Sequence, residues 1–225
     1  MKNIAQNQKK EKIANCKEGV VKFRYDLAEA KLPFELFSEL VLWRNKLFSK
    51  GLIGAYKDGP MKGMGYGNAS IRAEMLGKKG FFITGSQTGH IEKLPAEKYC
   101  FIESYNIAEN YVKAFGAIAP SSESLTHAAI YETNEKIGAV VHGHSKEIFS
   151  SAKNLGLCCT SRKATYGSVE LANEIKAIIE KLGRPEKGII VTLGHKDGVL
   201  SWGKDIEEAS KILIETLKKA KACQK

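Results

Sequence analysis

The sequence predicts an α/β fold, a mixed β-sheet flanked by helices, and three observations carry that prediction. Short apolar runs at residues 81–84, 100–104, 138–142 and 188–193 are bounded by glycine or polar turns, as strands are. Two later segments, 168–182 and 205–220, repeat apolar residues at helical spacing. The 225-residue chain, 43% hydrophobic, is long enough to close a sizeable core and holds no internal repeat or dividing linker.

Along the chain, residues 1–18 are polar and read as a frayed segment, which leaves 19–225 as a single domain. Residues 33–50 place Phe34, Phe37, Leu40, Val41, Leu47 and Phe48 at mostly helical spacing, with Pro33 in the first turn and Gly51 at the exit. The next 17 residues, 51–67, contain six glycines and read as a functional loop, too glycine-rich for regular structure and too polar for core. A hairpin is expected from 70–76 and 81–84 around Gly77-Lys78-Lys79-Gly80, then a strand at 100–104 and another in the second half of 107–119. Residues 122–136 are helical by their caps, and 138–142 form a buried strand. In 168–182, Leu171, Ala172, Ile175, Ile178, Ile179 and Leu182 make an amphipathic helix. A hairpin joins 188–193 to 199–201, and Asp205 caps a last helix bearing Ile206, Ala209, Ile212, Leu213, Leu217 and Ala220.

Charge and cysteine content narrow the class of protein. The net charge of +10 is concentrated at the ends: residues 1–20 carry five Lys against two Glu, and 216–225 carry four Lys and no acid. The middle is nearly balanced, so the basic excess reads as solvated tails rather than a nucleic-acid surface. No apolar run has the length of a bilayer span, and Lys9, Lys10, Glu11, Lys12, Lys17 and Glu18 interrupt the opening stretch where a signal peptide needs continuous apolar residues. The five cysteines are odd in number and lack C-x-x-C spacing, which fits reduced thiols. The expectation is a soluble cytoplasmic protein with no nucleic-acid or membrane partner.

Four segments can carry chemistry. In Val140-Val141-His142-Gly143-His144 the two histidines lie two apart on a strand, so both imidazoles share a face and can converge on one ion; two polar histidines at a strand exit fit the same spacing. Pro120-Ser121-Ser122-Glu123-Ser124-Leu125-Thr126-His127 reads as a helix start whose hydroxyls and free N–H groups suit an anion, or as an ordinary capped helix. His127, one turn past Glu123, is left out of the metal set. Gly67-Asn68-Ala69-Ser70 and Thr84-Gly85-Ser86-Gln87-Thr88-Gly89 are small-residue turns that together can cradle a phosphate, though neither is a Walker loop. His195 sits at the tip of a strand-turn-strand segment, placed to be a third ligand or an exposed turn histidine.

Taken in order, Gly67-Asn68-Ala69-Ser70, Ile83-Thr84-Gly85-Ser86, Pro120-Ser121-Ser122-Glu123, Val141-His142-Gly143-His144 and Gly198-Val199-Leu200-Ser201-Trp202-Gly203 strongly resemble the class II aldolase/adducin family. The match runs from about Phe34 to the end and takes in Tyr166-Gly167-Ser168-Val169-Glu170-Leu171. The resemblance implies an αβα layered domain with a central mixed, largely antiparallel sheet, a homotetramer with sites at subunit boundaries, and a Zn2+, Mn2+ or Co2+ ion held by three histidines. His142 and His144 map onto two ligands. His195 is assigned as the third, although two residues separate it from Gly198 where the family's histidine directly precedes the glycine.

By the same resemblance Glu123 falls on the general base of the family's aldolases, an acid that can also bind the metal when substrate is absent; the related 4-epimerases typically place Asp there. Asn68, Thr88, Gly89, Ser121 and Ser122 map onto the phosphate-binding residues. One departure stands out: only 21 residues separate His144 from Tyr166, and none of residues 145–165 is a tyrosine, so the segment that carries the aldolases' proton donor is missing. The expected function is a divalent-metal-dependent carbon–carbon lyase acting on a small phosphorylated hydroxy-carbonyl sugar through a metal-stabilised enediolate. The alternatives are a sugar-phosphate 4-epimerase, a sugar-acid-phosphate decarboxylase and a non-catalytic adducin-like module, the last disfavoured by the retained Glu123, His142 and His144.

Overall fold

The computed structural model describes residues 20–224; the polar opening segment expected to fray lies outside them. Its strands are β1 (Arg24–Ala28), β2 (Gly54–Ala55), β3 (Gly65–Tyr66), β4 (Asn68–Met75), β5 (Lys78–Thr84), β6 (Tyr99–Asn106), β7 (Tyr111–Gly116), β8 (Ala139–His144), β9 (Cys158–Cys159), β10 (Gly188–Val191) and β11 (Gly198–Gly203). The helices are α1 (Ser38–Ser49), α2 (Ser124–Thr133), α3 (Lys146–Ser151), α4 (Val169–Lys181) and α5 (Ile206–Ala222). Nine strands form one sheet in the order β1-β7-β6-β5-β4-β8-β11-β10-β9, while β2 and β3 pair separately. Pairing is antiparallel except at the two margins, where β1 runs parallel to β7 and β9 to β10.

Strand alternation decides the layering, because neighbouring residues point to opposite faces. Val141 and Val199 face a core that includes Leu40 and Leu47 of α1, Ile148 of α3, and Leu213 and Leu217 of α5. Val140 and Leu200 face the other way, toward Ala128 of α2 and Leu171 and Ile175 of α4. The expected helix–sheet–helix arrangement follows. Burying an aliphatic side chain of this kind is worth about 1.5–3 kcal/mol, so the two faces together hold the sheet between its helices.

Local chemistry sets the element ends. The Ser168 hydroxyl accepts from the Leu171 N–H and the Asp205 carboxylate from the Glu208 N–H, which caps α4 and α5 as their sequences suggest. Pro33 precedes a 3-10 turn (Phe34–Leu36) rather than opening α1, which begins at Ser38. The β4–β5 hairpin is tighter than expected: Leu76 and Gly77 alone turn the chain, both at positive φ, and Lys78 and Lys79 belong to the strand. The glycine-rich stretch after α1 is also more ordered than its composition suggests. Leu52 and Ile53 are fully buried, and β2 with β3 makes a short ribbon within it. Sequence reasoning missed β1, α3 and β9. Among the described residues, no helix is long and apolar enough to cross a membrane.

Candidate active site

The centre of the sheet builds the site. β8 lies between β4 and β11, with Asn68 opposite His142 on one side and Gly198 opposite His144 on the other. Both partners run antiparallel to β8, so the start of β4, the end of β8 and the start of β11 meet at one edge. His142 and His144 share the face toward α2, and the intervening Gly143 faces α5.

The turn before β11 supplies the third imidazole. His195 N–H donates to the Thr192 carbonyl and Gly198 N–H to that of His195, which folds the two extra residues into a compact loop. His195 therefore returns to its neighbours: its ring centroid is 4.8 Å from that of His142, stacked, and 4.7 Å from that of His144, edge-on. All three histidines are buried, and their candidate ligand nitrogens lie within 4.8 Å of one another. The Nε2 atoms of His142 and His144 are 3.1 Å apart, close to the separation of about 3.3 Å between two nitrogens bound tetrahedrally to one zinc ion. The donor set fits a divalent ion of the zinc type.

Glu123 occupies the last position before α2, at the end of the helix that its dipole makes locally positive. Its carboxylate lies 3.1 Å from His142 Nε2 and 3.4 Å from His195 Nδ1, and it accepts from Asn68 Nδ2 at 3.2 Å. Burial alone would raise this carboxyl, yet His142 and His195 hold it well below the usual carboxylate range. His127 itself stands outside the triad. Its Nδ1 lies 2.7 Å from the Ser70 hydroxyl, which in turn meets the Tyr131 hydroxyl at 2.8 Å. Burial pushes the His127 imidazole down to about 4, against a smaller opposing pull from Glu123, so it is neutral.

Beside Glu123, two loops line a cleft that also reaches His142 and His195. The Ser86 N–H donates to the Ala119 carbonyl, which seats residues 85–89 against 120–123. Asn68, Thr88, Gly89, Ser121 and Ser122 all line this cleft, so the residues suggested by sequence converge. Their side chains are not all directed as residue type implies. The Thr88 hydroxyl donates to the Gly85 carbonyl, and the Ser121 hydroxyl accepts from the Glu123 N–H, so backbone amides are a large share of what these loops offer. Close packing demands glycine here: a Cβ on Gly89 would stand 2.4 Å from the Tyr66 carbonyl oxygen.

Sequence reasoning missed three aromatic neighbours. The Tyr56 hydroxyl lies 3.1 Å from His144 Nδ1, Tyr66 stacks on His144 with centroids 4.8 Å apart, and Tyr166 tilts against His195 at 5.2 Å. Lys22 covers Tyr166 from outside, with Nζ 3.8 Å from the ring centroid and 2.7 Å from the backbone carbonyl oxygen. Tyrosines inside a glycine-rich stretch were the available signal for Tyr56 and Tyr66.

Comparison with known proteins gives a concordant result. A family model described as the class II aldolase and adducin N-terminal domain matches residues 55–224. L-ribulose-5-phosphate 4-epimerase UlaF of Salmonella paratyphi C is 34% identical over 117 residues, covering 42% of this chain and 50% of that protein. The chain thus matches half the length of that curated relative. Among solved structures, a sugar-phosphate aldolase from Thermotoga maritima superposes with a TM-score of 0.60 at 20% identity, covering 84% of this chain and 93% of that one. L-fuculose-1-phosphate aldolase from Thermus thermophilus gives 0.59 at 18% identity, covering 85% and 94%. At these identities the superpositions speak for the fold.

Proposed function

The chain belongs to the class II aldolase and adducin family, and on that premise we propose that it is a metal-dependent carbon–carbon lyase acting on a small phosphorylated hydroxy-carbonyl sugar. The observation that carries this reading is the placement of Glu123: one buried carboxylate reaches His142 and His195 and borders an amide-rich cleft.

His142, His144 and His195 would hold zinc or a similar divalent ion, and the reading extends to a cytoplasmic homotetramer. Such an ion supplies a Lewis acid toward a ketone oxygen and its neighbouring hydroxyl. Asn68, Thr88, Gly89, Ser121 and Ser122 bind the phosphate and fix the substrate's reach into the cleft, which places the reacting carbons beside Glu123. In the condensation direction the Glu123 carboxylate takes the proton from the carbon next to the carbonyl; in cleavage it returns that proton to the same carbon.

A second reading, sugar-phosphate 4-epimerase, is favoured by the name of the curated relative. The same residues would then serve cleavage and re-addition of the aldehyde without its release. Metal content per chain, measured on protein purified without chelators, tests the common premise: near one ion per chain, absent from His142→Ala, is expected, and a site that stays empty after reloading points to a non-catalytic module. Glu123→Gln should keep the ion and lose proton exchange between substrate and solvent; retained exchange removes Glu123 from its role. Assays for aldehyde release, inverted stereochemistry and carbon dioxide then separate lyase, epimerase and decarboxylase.

A further inference from the structure

Arg44 is a buried cation without an acid. It sits on α1 with 1% of its surface exposed, and among the described residues no carboxylate lies within ion-pair distance of it. Burying a guanidinium is costly unless its donors are satisfied, and here backbone carbonyls do most of that work. One terminal nitrogen donates to the Glu92 carbonyl at 2.7 Å, and the other to the carbonyls of Thr88 and Gly89, both at 3.1 Å. Thr88 and Gly89 belong to the loop that lines the cleft beside residues 120–123.

Peptide geometry converts that anchoring into an orientation. In a planar trans peptide the C=O and the next residue's N–H point in opposite directions, and no described peptide bond is cis. Two consecutive carbonyls turned toward Arg44 therefore turn the N–H groups of Gly89 and His90 away from it. Neither N–H has a hydrogen-bond acceptor among the described residues. Both nitrogens lie 2.8 Å from the point where a Cβ of Gly65 would stand, and of the two residues Gly89 lines the cleft, as Gly65 does.

We propose that Arg44 is the positioning residue of the anion loop: its guanidinium holds three carbonyls back so that the amide of Gly89, which lines the cleft, serves a phosphate group, and its charge stands unneutralised behind it. The inference rests on the reading of this cleft as a phosphate site. It adds a residue that never touches the ligand, and it explains why a charge is buried in α1 with no acid beside it. A bound phosphate is the anion that completes the arrangement, acting through the loop. Lysine cannot replace the arginine here, because an ammonium is a point donor and does not span three carbonyls with a planar fork.

The test is calorimetric titration of inorganic phosphate into the full chain, purified without chelators, for the wild type and for Arg44→Lys, with metal content measured on both. The wild type should bind phosphate; Arg44→Lys should bind it about tenfold more weakly or worse with its metal content unchanged. Equal affinity in Arg44→Lys overturns the inference, and so does a parallel loss of metal, which marks a general structural role. A wild type that binds no phosphate overturns the phosphate reading of the cleft itself, and is recognised without any substitution. Should Arg44→Lys fail to fold, hydrogen exchange on the wild type decides: phosphate should protect the amide of Gly89, and unchanged exchange there overturns the proposal.

Discussion

The Tyr56 hydroxyl lies 3.1 Å from Nδ1 of His144, and Nε2 of the same ring lies 3.1 Å from Nε2 of His142. One nitrogen is thus engaged by the loop after β2 while the other is directed at the triad, the arrangement by which an outer partner orients a ligating imidazole. Tyr56→Phe should lower divalent-metal affinity about tenfold to a hundredfold with little change in stability, since Tyr56 is only half-buried. Competition against a chromophoric chelator reads this directly; an unchanged constant removes Tyr56 from the metal site.

Gly143 separates the two strand histidines and faces away from them. A Cβ there would meet Leu213 Cδ2 at 2.8 Å and the Leu52 carbonyl oxygen at 3.0 Å. Gly143→Val should therefore cost about 1–3 kcal/mol in urea unfolding and weaken metal binding as well, because α5 and β8 cannot separate without tilting both imidazoles. A stable variant with intact metal affinity would show that the close approach is dispensable.

His127 predicts a pH dependence of stability. Its imidazole titrates near 6.5 when unperturbed and near 4 in the fold, where burial outweighs the pull of Glu123. Between these values the unfolded chain binds a proton that the native protein does not, so stability is full above pH 6.5 and falls as pH falls toward 4. The effect is on the order of 3 kcal/mol across the window. His127→Gln should flatten this part of the stability curve, measured by chemical denaturation at several pH values; an identical slope rules the assignment out.

Asp205 accepts from the Glu208 N–H at 2.8 Å and starts α5. Asp205→Ala should cost about 1 kcal/mol, seen as a lower unfolding midpoint, and leave metal content at the wild-type level. A loss of metal would place the start of α5 in the support of the site.

Legibility in the sequence followed the range of the interactions. His142 and His144 were readable because strand alternation is a local rule, and α4 and α5 because their apolar spacing and caps are local too. β1 gave no such signal. Every residue of its Arg-Tyr-Asp-Leu-Ala is exposed, and it becomes a strand only by pairing with β7. Arg44 lies between Trp43 and Asn45 in a helix whose charge pattern marks nothing unusual; its meaning comes from carbonyls more than forty residues away. Thr88 was found by residue type, but its hydroxyl turns to Gly85, a choice made by the loop's own geometry. Tyr166 was visible as part of a motif, whereas its contact with His195 depends on the fold of the β10–β11 turn.

The floor of the site is three neighbouring strands, β4, β8 and β11, with His142 paired to Asn68 on one side and to Leu200 on the other. Those pairings join distant parts of the chain, and closing such loops costs entropy before any contact repays it. Only His142 and His144 are neighbours along the chain; Glu123 and His195 meet them through the assembled middle of the sheet. An ion bound at this site would therefore be gripped only when the central strands are together, and released only when they part. Its stabilisation would then fall on the native side of the barrier and act as a brake on unfolding, lengthening the life of the folded chain without hastening its formation.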